Sequence, residues 1–322
     1  MYKNKRKVKT LPEDFISRLT DIFGPSLFLG ISKTFVERPI TFRVNTIKVT
    51  REKVLDGLRE TGFKVKNVLW YRDAFILQNK TKRELIESDL YSSGKIYLQS
   101  LASMIPPLVL DPKPGERVLD LTAAPGSKTS QMAGMMELSG ELVACDNNET
   151  RFAKLKHNLE LLGAGSFVKL KMLDGTKLCQ EYTEYFDKIL LDAPCGAEVR
   201  FVLDEPRTFS YWQERKIKDI AYQQRKLLLS AWSALKPGGT LVYSTCTFAP
   251  EENEIQVTKF LEKNTDAKIL AIDLPDLKRA PIVKEWKGRL VDTEVVKKAL
   301  RIMPDREIEG FFVVKIKKYG NL

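Results

Sequence analysis

Short apolar runs alternate with longer amphipathic segments from about residue 96 to the end of the chain. The apolar runs lie at 118–121, 142–145, 167–172, 188–191 and 240–244, and the clearest helical segments lie at 150–162 and 214–235. Strands that alternate with helices in this way indicate βαβ units and a parallel sheet covered by helices on both faces. The sequence therefore predicts a doubly wound, Rossmann-like α/β domain over residues 96–322. A last apolar run, 310–317, predicts a strand that closes the sheet as an edge hairpin.

The first 95 residues have a different pattern and are rich in lysine and arginine. We interpret residues 1–95 as a small α+β module. Its predicted elements are a helix at 12–37, a strand at 40–47, a helix at 51–61 that Gly62 ends, and short strands near 63–69 and 74–78. The basic residues 1–10 are either a solvated tail or an arm that contacts phosphates.

Charge and residue usage exclude several classes of function. The chain has 53 Lys and Arg against 42 Asp and Glu, a net charge of +11, which indicates a polyanionic partner, either nucleic acid or an anionic membrane surface. No apolar stretch approaches the roughly 18 residues of a membrane span, and no apolar region follows the basic start as in a secretory signal. The single histidine, His157, argues against a Ser-His-Asp triad or a histidine-bound metal. The four cysteines form no Cys-x-x-Cys motif, so we expect no metal and free thiols in a reducing cytoplasm.

The residues that follow the predicted strands indicate a nucleoside cofactor with a positive centre. The loop 120–129 has small residues that let a ligand approach the backbone, but neither Gly-x-Gly-x-x-Gly nor a P-loop motif. Four successive strands end at Asp120, Asp146, Asp174 and Asp192. A carboxylate can bind a ribose diol, and acids that would repel pyrophosphate are compatible with a sulfonium. S-adenosylmethionine fits this pattern; the alternative is that the aspartates only cap the helices that follow them.

Two of the cysteines follow neighbouring predicted strands. Cys195 comes after the fourth strand and Cys246 after the fifth, and adjacent strands lie about 4.8 Å apart. We therefore expect both thiols near each other at the cofactor edge, whereas Cys145 and Cys179 are interpreted as buried apolar residues. One thiolate can add to carbon 6 of a cytosine and activate carbon 5 for methylation, and the other can assist the later elimination. The positive field of Lys128 would enrich the thiolate.

The motifs at this edge of the sheet resemble those of a known family. They are the loop 120–129, the Asp-Ala-Pro-Cys of 192–195, and the segment 236–247 with the acidic stretch 250–254. With the segments 43–46, 301–304 and 310–312, they resemble the Nop/Sun family of RNA cytosine-5 methyltransferases, in particular its RsmF-like and archaeal tRNA-type members. The resemblance covers about residues 40–322 and implies a class I methyltransferase fold.

The resemblance also implies residue roles. Cys246 would be the nucleophile and Cys195 would assist release, while Lys128 and Asp192 would face the target base. The implied S-adenosylmethionine site consists of Thr122, Ala123, Ala124, Pro125, Gly126, Ser127, Lys128, Asp146, Asp174 and Asp192. Arg151, one helical turn further on, is a candidate contact for the adenosine, and a surface role is the alternative.

The chain departs from the family pattern at a few positions. The family's cofactor loop usually reads Cys-Ala-Ala-Pro-Gly-Gly-Lys, and this chain has Thr122 and Ser127 instead. Ser127 would be strained if its backbone φ were positive. Gly196 and Ala197 replace the usual Ser-Gly, so the course of the loop 196–210 is not predicted.

We predict an RNA cytosine-5 methyltransferase that acts as a monomer on rRNA or tRNA, without a choice between the two. The basic module 1–95 would bind RNA. The candidate phosphate contacts are Lys48, Arg51, Lys64, Lys66, Arg200 and Arg207, and the alternative for each is a solvated surface role. The target base must leave its stack to reach the thiols. Tyr211 would stack on that base, whereas the helical spacing of Trp212 favours packing.

The alternative function is a non-catalytic RNA-binding assembly factor that keeps the methyltransferase fold. The pair of cysteines argues against it. Methylation of an amino group is disfavoured, since the fourth strand is not followed by Asn/Asp-Pro-Pro-Tyr/Phe.

Overall fold

A computed structural model describes residues 10–320, so the predicted basic arm at residues 1–9 lies outside the described part. The first elements along the chain are α1 (Glu13–Ser32), β1 (Thr41–Val44), α2 (Arg51–Glu60), β2 (Val65–Asn67), β3 (Ala74–Leu77), α3 (Lys82–Glu87), α4 (Asp89–Ser92) and β4 (Ile96–Leu98). The four strands form one antiparallel sheet in the order β2-β3-β1-β4. The strands and helix predicted between residues 40 and 78 are therefore present, and β4 extends this sheet past residue 95.

Helix α1 packs away from the small sheet. It is kinked at Gly24, where φ is 75° before Pro25, and it is shorter than the predicted 12–37. Its Phe15 packs against Phe201, with ring centroids 4.9 Å apart, and against Trp212 at 5.3 Å. The helix thus covers the segment whose course the sequence did not predict.

The remaining elements build the larger domain. They are α5 (Leu101–Leu110), β5 (Arg117–Asp120), α6 (Ser127–Met135), β6 (Glu141–Cys145), α7 (Glu149–Leu162), β7 (Val168–Lys171), α8 (Gly175–Gln180), β8 (Phe186–Asp192), α9 (Arg215–Ala234), β9 (Leu235–Thr245), α10 (Glu254–Leu261), β10 (Ala267–Leu270), β11 (Glu285–Trp286), β12 (Arg289–Leu290), α11 (Thr293–Lys298), β13 (Leu300–Ile302) and β14 (Phe311–Lys318). Two short 3-10 helices, Glu198–Arg200 and Pro206–Thr208, lie between β8 and α9.

The central sheet has the order β10-β14-β9-β8-β5-β6-β7, and β13 pairs with β14 beside β10. The strands from β7 to β9 are parallel, as predicted. Apolar side chains pack on both faces of the sheet in two large clusters. The chain passes from β5 to β6 on one side and places β8 on the other, so the strand order reverses at β5. Ligands of open α/β sheets bind at the carboxyl ends of the strands at such a reversal.

The predicted closing hairpin is present at this side of the sheet, but its last strand is not the outermost one. Strand β14 does form a hairpin with β13, but it pairs with β9 on its other side, and the edge strand is β10. Four successive buried apolar residues, 311–314, begin β14. A continuous apolar run is typical of a strand buried on both faces, and this signal favoured an interior position.

Candidate active site

A cavity of about 1020 Å³ opens at the carboxyl ends of β5, β6, β8 and β9. The structure brings together here the residues predicted for the cofactor and for catalysis, with the exception of Gly126. The cavity is lined by Thr122, Ala123, Ala124, Pro125, Ser127, Lys128, Asp146, Arg151, Asp174, Asp192, Cys195 and Cys246, among others.

Gly126 shapes the loop instead of lining the cavity. Its φ is +99°, and a Cβ atom there would lie 2.9 Å from Leu155 Cδ1. The positive φ favours glycine, because other residues are strained there, and a Cβ would also require the end of the Leu155 side chain to shift. Ser127 is the first residue of α6 and has no positive φ, so the strain considered from the sequence does not arise. Thr122, the other departure from the family pattern, donates a hydrogen bond of 2.8 Å to the Asp192 carbonyl oxygen.

Asp146 holds the loop 120–129 through hydrogen bonds and also lines the cavity. Its Oδ2 accepts a hydrogen bond from Ala124 N at 3.2 Å, and its Oδ1 accepts one from Asn148 N at 3.1 Å. Arg151 donates to the Ala124 carbonyl oxygen at 2.7 Å and lies 3.3 Å from Asp146 Oδ2. Arg151 therefore holds the loop and Asp146 together, which is more than a surface role.

Asp174 fits the capping alternative as well as the cavity. It caps α8 by accepting a hydrogen bond of 2.9 Å from Thr176 N, and the Thr176 hydroxyl also donates to it. These bonds stabilise the carboxylate and lower the pKa of Asp174. At the base of the cavity, Asp120 accepts from Thr129 Oγ1 at 2.7 Å, and burial raises the pKa of Asp120 to about 7.

The two cysteine thiols meet as predicted. Asp192 of β8 is in register with Ser244 of β9, so the residues just beyond them emerge side by side. The sulfur atoms of Cys195 and Cys246 are 3.2 Å apart, and the Cys246 N–H donates to the Cys195 sulfur at 3.3 Å.

The surroundings of the two thiols differ. The hydrogen bond from Cys195 lowers the pKa of Cys246, and the positive charges of Arg200 and Lys128 act in the same direction. The same hydrogen bond, together with burial, raises the pKa of Cys195, and the nearby Glu252 adds to this effect. Cys246 is therefore the sulfur that carries negative charge more readily.

Cys145 and Cys179 are fully buried, and burial raises the pKa of each to about 12. Both are inert thiols at neutral pH, in agreement with their interpretation as apolar core residues.

Lys128 and Asp192 form an ion pair that lines the cavity. Lys128 Nζ is 2.6 Å from Asp192 Oδ2 and donates to Ser103 Oγ at 2.9 Å. The other oxygen of Asp192 accepts a hydrogen bond of 2.8 Å from Ser244 Oγ. Sequence reasoning missed Ser103, which comes from α5. That helix contains Pro106 and Pro107, and nothing local relates it to the strand ends.

The candidate RNA-contacting residues fall into two groups. Arg200 lines the cavity beside Cys246, and Tyr211 is 51% exposed close to both thiols. Trp212 is buried and donates to Glu198 at 2.8 Å, which confirms packing. Arg207 is exposed and pairs with Glu205.

In the small sheet, Lys66 pairs with Glu307, and Lys48 and Arg51 donate to backbone carbonyl oxygens. These three are already held within the chain. Over residues 10–320, no cluster of His, Cys, Asp and Glu has the geometry of a metal site, and no helix has the length and apolarity to cross a bilayer.

The sheet order and the site at its carboxyl edge define a class I methyltransferase. The model of the 16S rRNA methyltransferase RsmB/F family matches residues 107–317, and a ferredoxin-like domain of the same proteins matches residues 30–83. The chain therefore belongs to the RsmB/F methyltransferase family, in agreement with the predicted Nop/Sun assignment, and it is an RNA cytosine-5 methyltransferase.

The chain is similar to several named proteins. It is 40% identical over 320 residues to the tRNA (cytosine(49)-C(5))-methyltransferase of Pyrococcus abyssi, with 98% of each chain covered. It is 32% identical to the ribosomal RNA small subunit methyltransferase F of Pectobacterium atrosepticum, and the match spans 97% of this chain but 64% of that protein. A crystal structure of a methyltransferase homologue from Pyrococcus horikoshii is 33% identical, covers 95% of each chain and superimposes with a TM-score of 0.82.

Proposed function

We propose that this enzyme transfers a methyl group from S-adenosylmethionine to carbon 5 of a cytosine in structured RNA, through a covalent bond between Cys246 and carbon 6. The observation that supports this most directly is the pair of thiols, 3.2 Å apart at the edge of a cavity lined by acids.

The residues of the cavity fit this cofactor. Ala123 and Ala124 present almost no side chain, and Gly126 gives the loop a turn that only glycine allows. Each oxygen of Asp146 accepts one backbone N–H, which leaves acceptor capacity for a ribose diol. S-adenosylmethionine supplies the methyl group from its sulfonium and becomes a neutral thioether.

The Cys246 thiolate begins the reaction at the base. Its sulfur bonds to carbon 6, and the electron pair of the C5–C6 double bond moves toward carbon 5. Carbon 5 then forms its bond to the methyl group. A base removes the remaining proton from carbon 5, the electrons of that C–H bond restore the double bond, and the S–C6 bond breaks to return the thiolate.

Cys195 is positioned to remove that proton. The hydrogen bond to Cys246 is the largest cause of its raised pKa. Once Cys246 is bonded to carbon this cause disappears. Burial and Glu252 still raise the pKa of Cys195, but the loss of the largest cause favours release of its proton to water, after which Cys195 acts as the base. The same thiol is thus protonated before the attack and available afterwards.

Lys128 and Asp192 hold the target cytosine. The ion pair of 2.6 Å fixes both side chains at the cavity, and the bond from Ser244 fixes the second Asp192 oxygen. Asp192 then accepts a hydrogen bond from the amino edge of the base. Fixed groups of this kind accelerate reaction by positioning.

We propose tRNA as the substrate class. The relative that is covered over 98% of its length is named for tRNA, whereas the chain spans 64% of the ribosomal relative. The N-terminal module with the small sheet at residues 41–98 would bind the RNA body, as proposed for residues 1–95.

The test is to incubate the Cys195→Ala variant with tRNA, rRNA and S-adenosylmethionine, and to resolve RNA–protein adducts on a denaturing gel. We expect an adduct with tRNA that the further change Cys246→Ala abolishes. Cys179→Ala is the matched control and should behave as the wild type, because that thiol is fully buried and does not line the cavity. Methyl transfer that survives Cys246→Ala would refute the nucleophile assignment, and bisulfite sequencing that finds the product only in rRNA would refute the tRNA assignment.

A further inference from the structure

Two buried glutamates contact the cysteine loops, which are the segments that follow Cys195 and Cys246. Neither glutamate has a role in the methyl transfer described above. Glu198 follows Cys195 on its loop, and Glu252 follows Cys246 on the other. Both side chains are buried, and buried carboxylates require hydrogen-bond partners.

Each glutamate accepts at least one backbone N–H from the opposite loop. Glu252 Oε2 accepts a hydrogen bond of 3.1 Å from the N–H of Gly196, the residue after Cys195. Glu198 Oε2 accepts from Phe248 N at 2.9 Å and from Thr247 Oγ1 at 2.8 Å, directly after Cys246. Each cysteine loop therefore supplies a carboxylate that fastens the loop of the other cysteine.

The Glu252 side of this network has further support. Gln224 Nε2 donates to Glu252 Oε2 at 2.8 Å and to the Pro194 carbonyl oxygen at 2.9 Å. Tyr243 donates from its hydroxyl to the Glu252 carbonyl oxygen at 2.7 Å. The backbone on both sides of Cys195 is thus held by one buried group of side chains.

We propose that Glu252 and Glu198 are a reciprocal pair of positioning residues, in which Glu252 places Cys195 for the elimination step and Glu198 places Cys246 for the attack. This proposal rests on the proposed roles of the two cysteines.

Removal of Glu252 and removal of Glu198 should have opposite effects on the amount of covalent RNA adduct. Loss of Glu252 frees the Cys195 loop, so the attack by Cys246 proceeds while elimination slows, and the covalent RNA adduct accumulates. Loss of Glu198 frees the Cys246 loop, so the attack slows and no adduct accumulates. A displacement of about 1 Å at a reacting group costs about 100-fold in rate, which sets the scale of both effects.

Charge is not the essential property of Glu252. Burial, with the neighbouring carboxylate of Glu198, raises the pKa of Glu252 to about 8. Glutamine at this position keeps an oxygen that can accept from Gly196 and Gln224. Glu252→Gln should therefore restore what Glu252→Ala loses.

The experiment compares Glu252→Ala, Glu252→Gln and Glu198→Ala in single-turnover reactions with RNA, measuring adduct and released product on denaturing gels. Glu251→Ala is the matched control, because the adjacent Glu251 pairs with Arg18 instead of a cysteine loop. We expect as much adduct with Glu252→Ala as with Cys195→Ala, and little adduct with Glu198→Ala. Glu252→Gln and Glu251→Ala should give the wild-type ratio of adduct to released product. The same ratio of adduct to released product in all variants would overturn the proposal. Loss of product without adduct in Glu252→Ala would overturn it as well.

A second measurement separates this proposal from the cysteine roles. Iodoacetamide labelling of the folded protein, mapped by mass spectrometry, reports the exposure of each thiol without any RNA. Glu252→Ala should speed labelling of Cys195 several-fold more than that of Cys246, and Glu198→Ala should do the reverse. Selective labelling with no adduct in Cys195→Ala would refute the cysteine roles alone, whereas unselective labelling would refute the reciprocal positioning.

Discussion

The ion pair between Arg301 and Glu254 allows a quantitative test of how much a buried ion pair near the Cys246 loop contributes to the stability of the protein. Arg301 Nη2 lies 2.7 Å from each oxygen of Glu254, and its Nε donates to Oε1 at 3.0 Å. The side chains are 2% and 0% exposed. Arg301 also donates to the Phe248 carbonyl oxygen at 3.1 Å, two residues beyond Cys246.

Arg301→Met should destabilise the enzyme strongly, because it leaves the Glu254 carboxylate buried with one backbone N–H, that of Val283, as its remaining donor. Removal of one partner of a buried pair typically costs about 3–5 kcal/mol. Domains of about 150–250 residues lose about 2–4 °C in Tm per kcal/mol, so Tm should fall by about 6 °C or more. Arg301→Met combined with Glu254→Gln removes the unpaired charge and should recover part of this loss.

The assay is thermal unfolding of the wild type, both single variants and the double variant at neutral pH, with denaturant titration to obtain the free energies of the cycle. The exposed pair of Arg289 and Glu262 supplies the control, since Arg289→Met should change the free energy by less than about 1 kcal/mol. A Tm shift for Arg301→Met no larger than that of Arg289→Met would show that the buried pair does not stabilise the fold to this extent. A double variant less stable than Arg301→Met would refute the reasoning equally.

Three further outcomes follow from the charges of the site. Arg200→Met should move the acidic limb of the kcat/KM profile to higher pH, because the guanidinium lowers the pKa of Cys246; an unmoved limb would contradict this. Asp120→Asn should gain stability relative to the wild type as pH rises from 5 to 8 in thermal melts. The folded state holds a proton on Asp120 up to a pKa of about 7, whereas the unfolded chain releases it near the ordinary value of 3.8. Wild-type stability therefore falls as the pH rises toward 7, and a constant Tm difference would exclude that origin. Tyr211→Ala should raise KM for RNA more than it lowers kcat, whereas Tyr211→Phe, which keeps the ring, should match the wild type in steady-state kinetics.

The strands and the meeting of the two thiols could be predicted from the sequence because both depend on local patterns. The apolar runs mark β5, β6, β8 and β9, and parallel strands deliver the residues after them to one edge. The interior position of β14 was missed although its continuous apolar run favoured it, because its outer neighbour β10 is only four residues long and was not predicted. The role of Ser103 was equally inaccessible, because its contact with Lys128 joins segments that no motif relates.

The difference in thiol pKa between Cys195 and Cys246 also could not be predicted from the sequence pattern. Both follow strands, both are half-buried, and the sulfurs touch. The difference arises first from the hydrogen bond between the thiols, which lowers the pKa of Cys246 and raises that of Cys195. Burial raises the pKa of Cys195 further, Arg200 and Lys128 favour the thiolate of Cys246, and Glu252 adds to the effect on Cys195. Glu252 therefore contributes to the protonation of Cys195 and also holds its loop. Substitutions at Glu252 should therefore separate the two effects, with glutamine keeping the loop and alanine losing it.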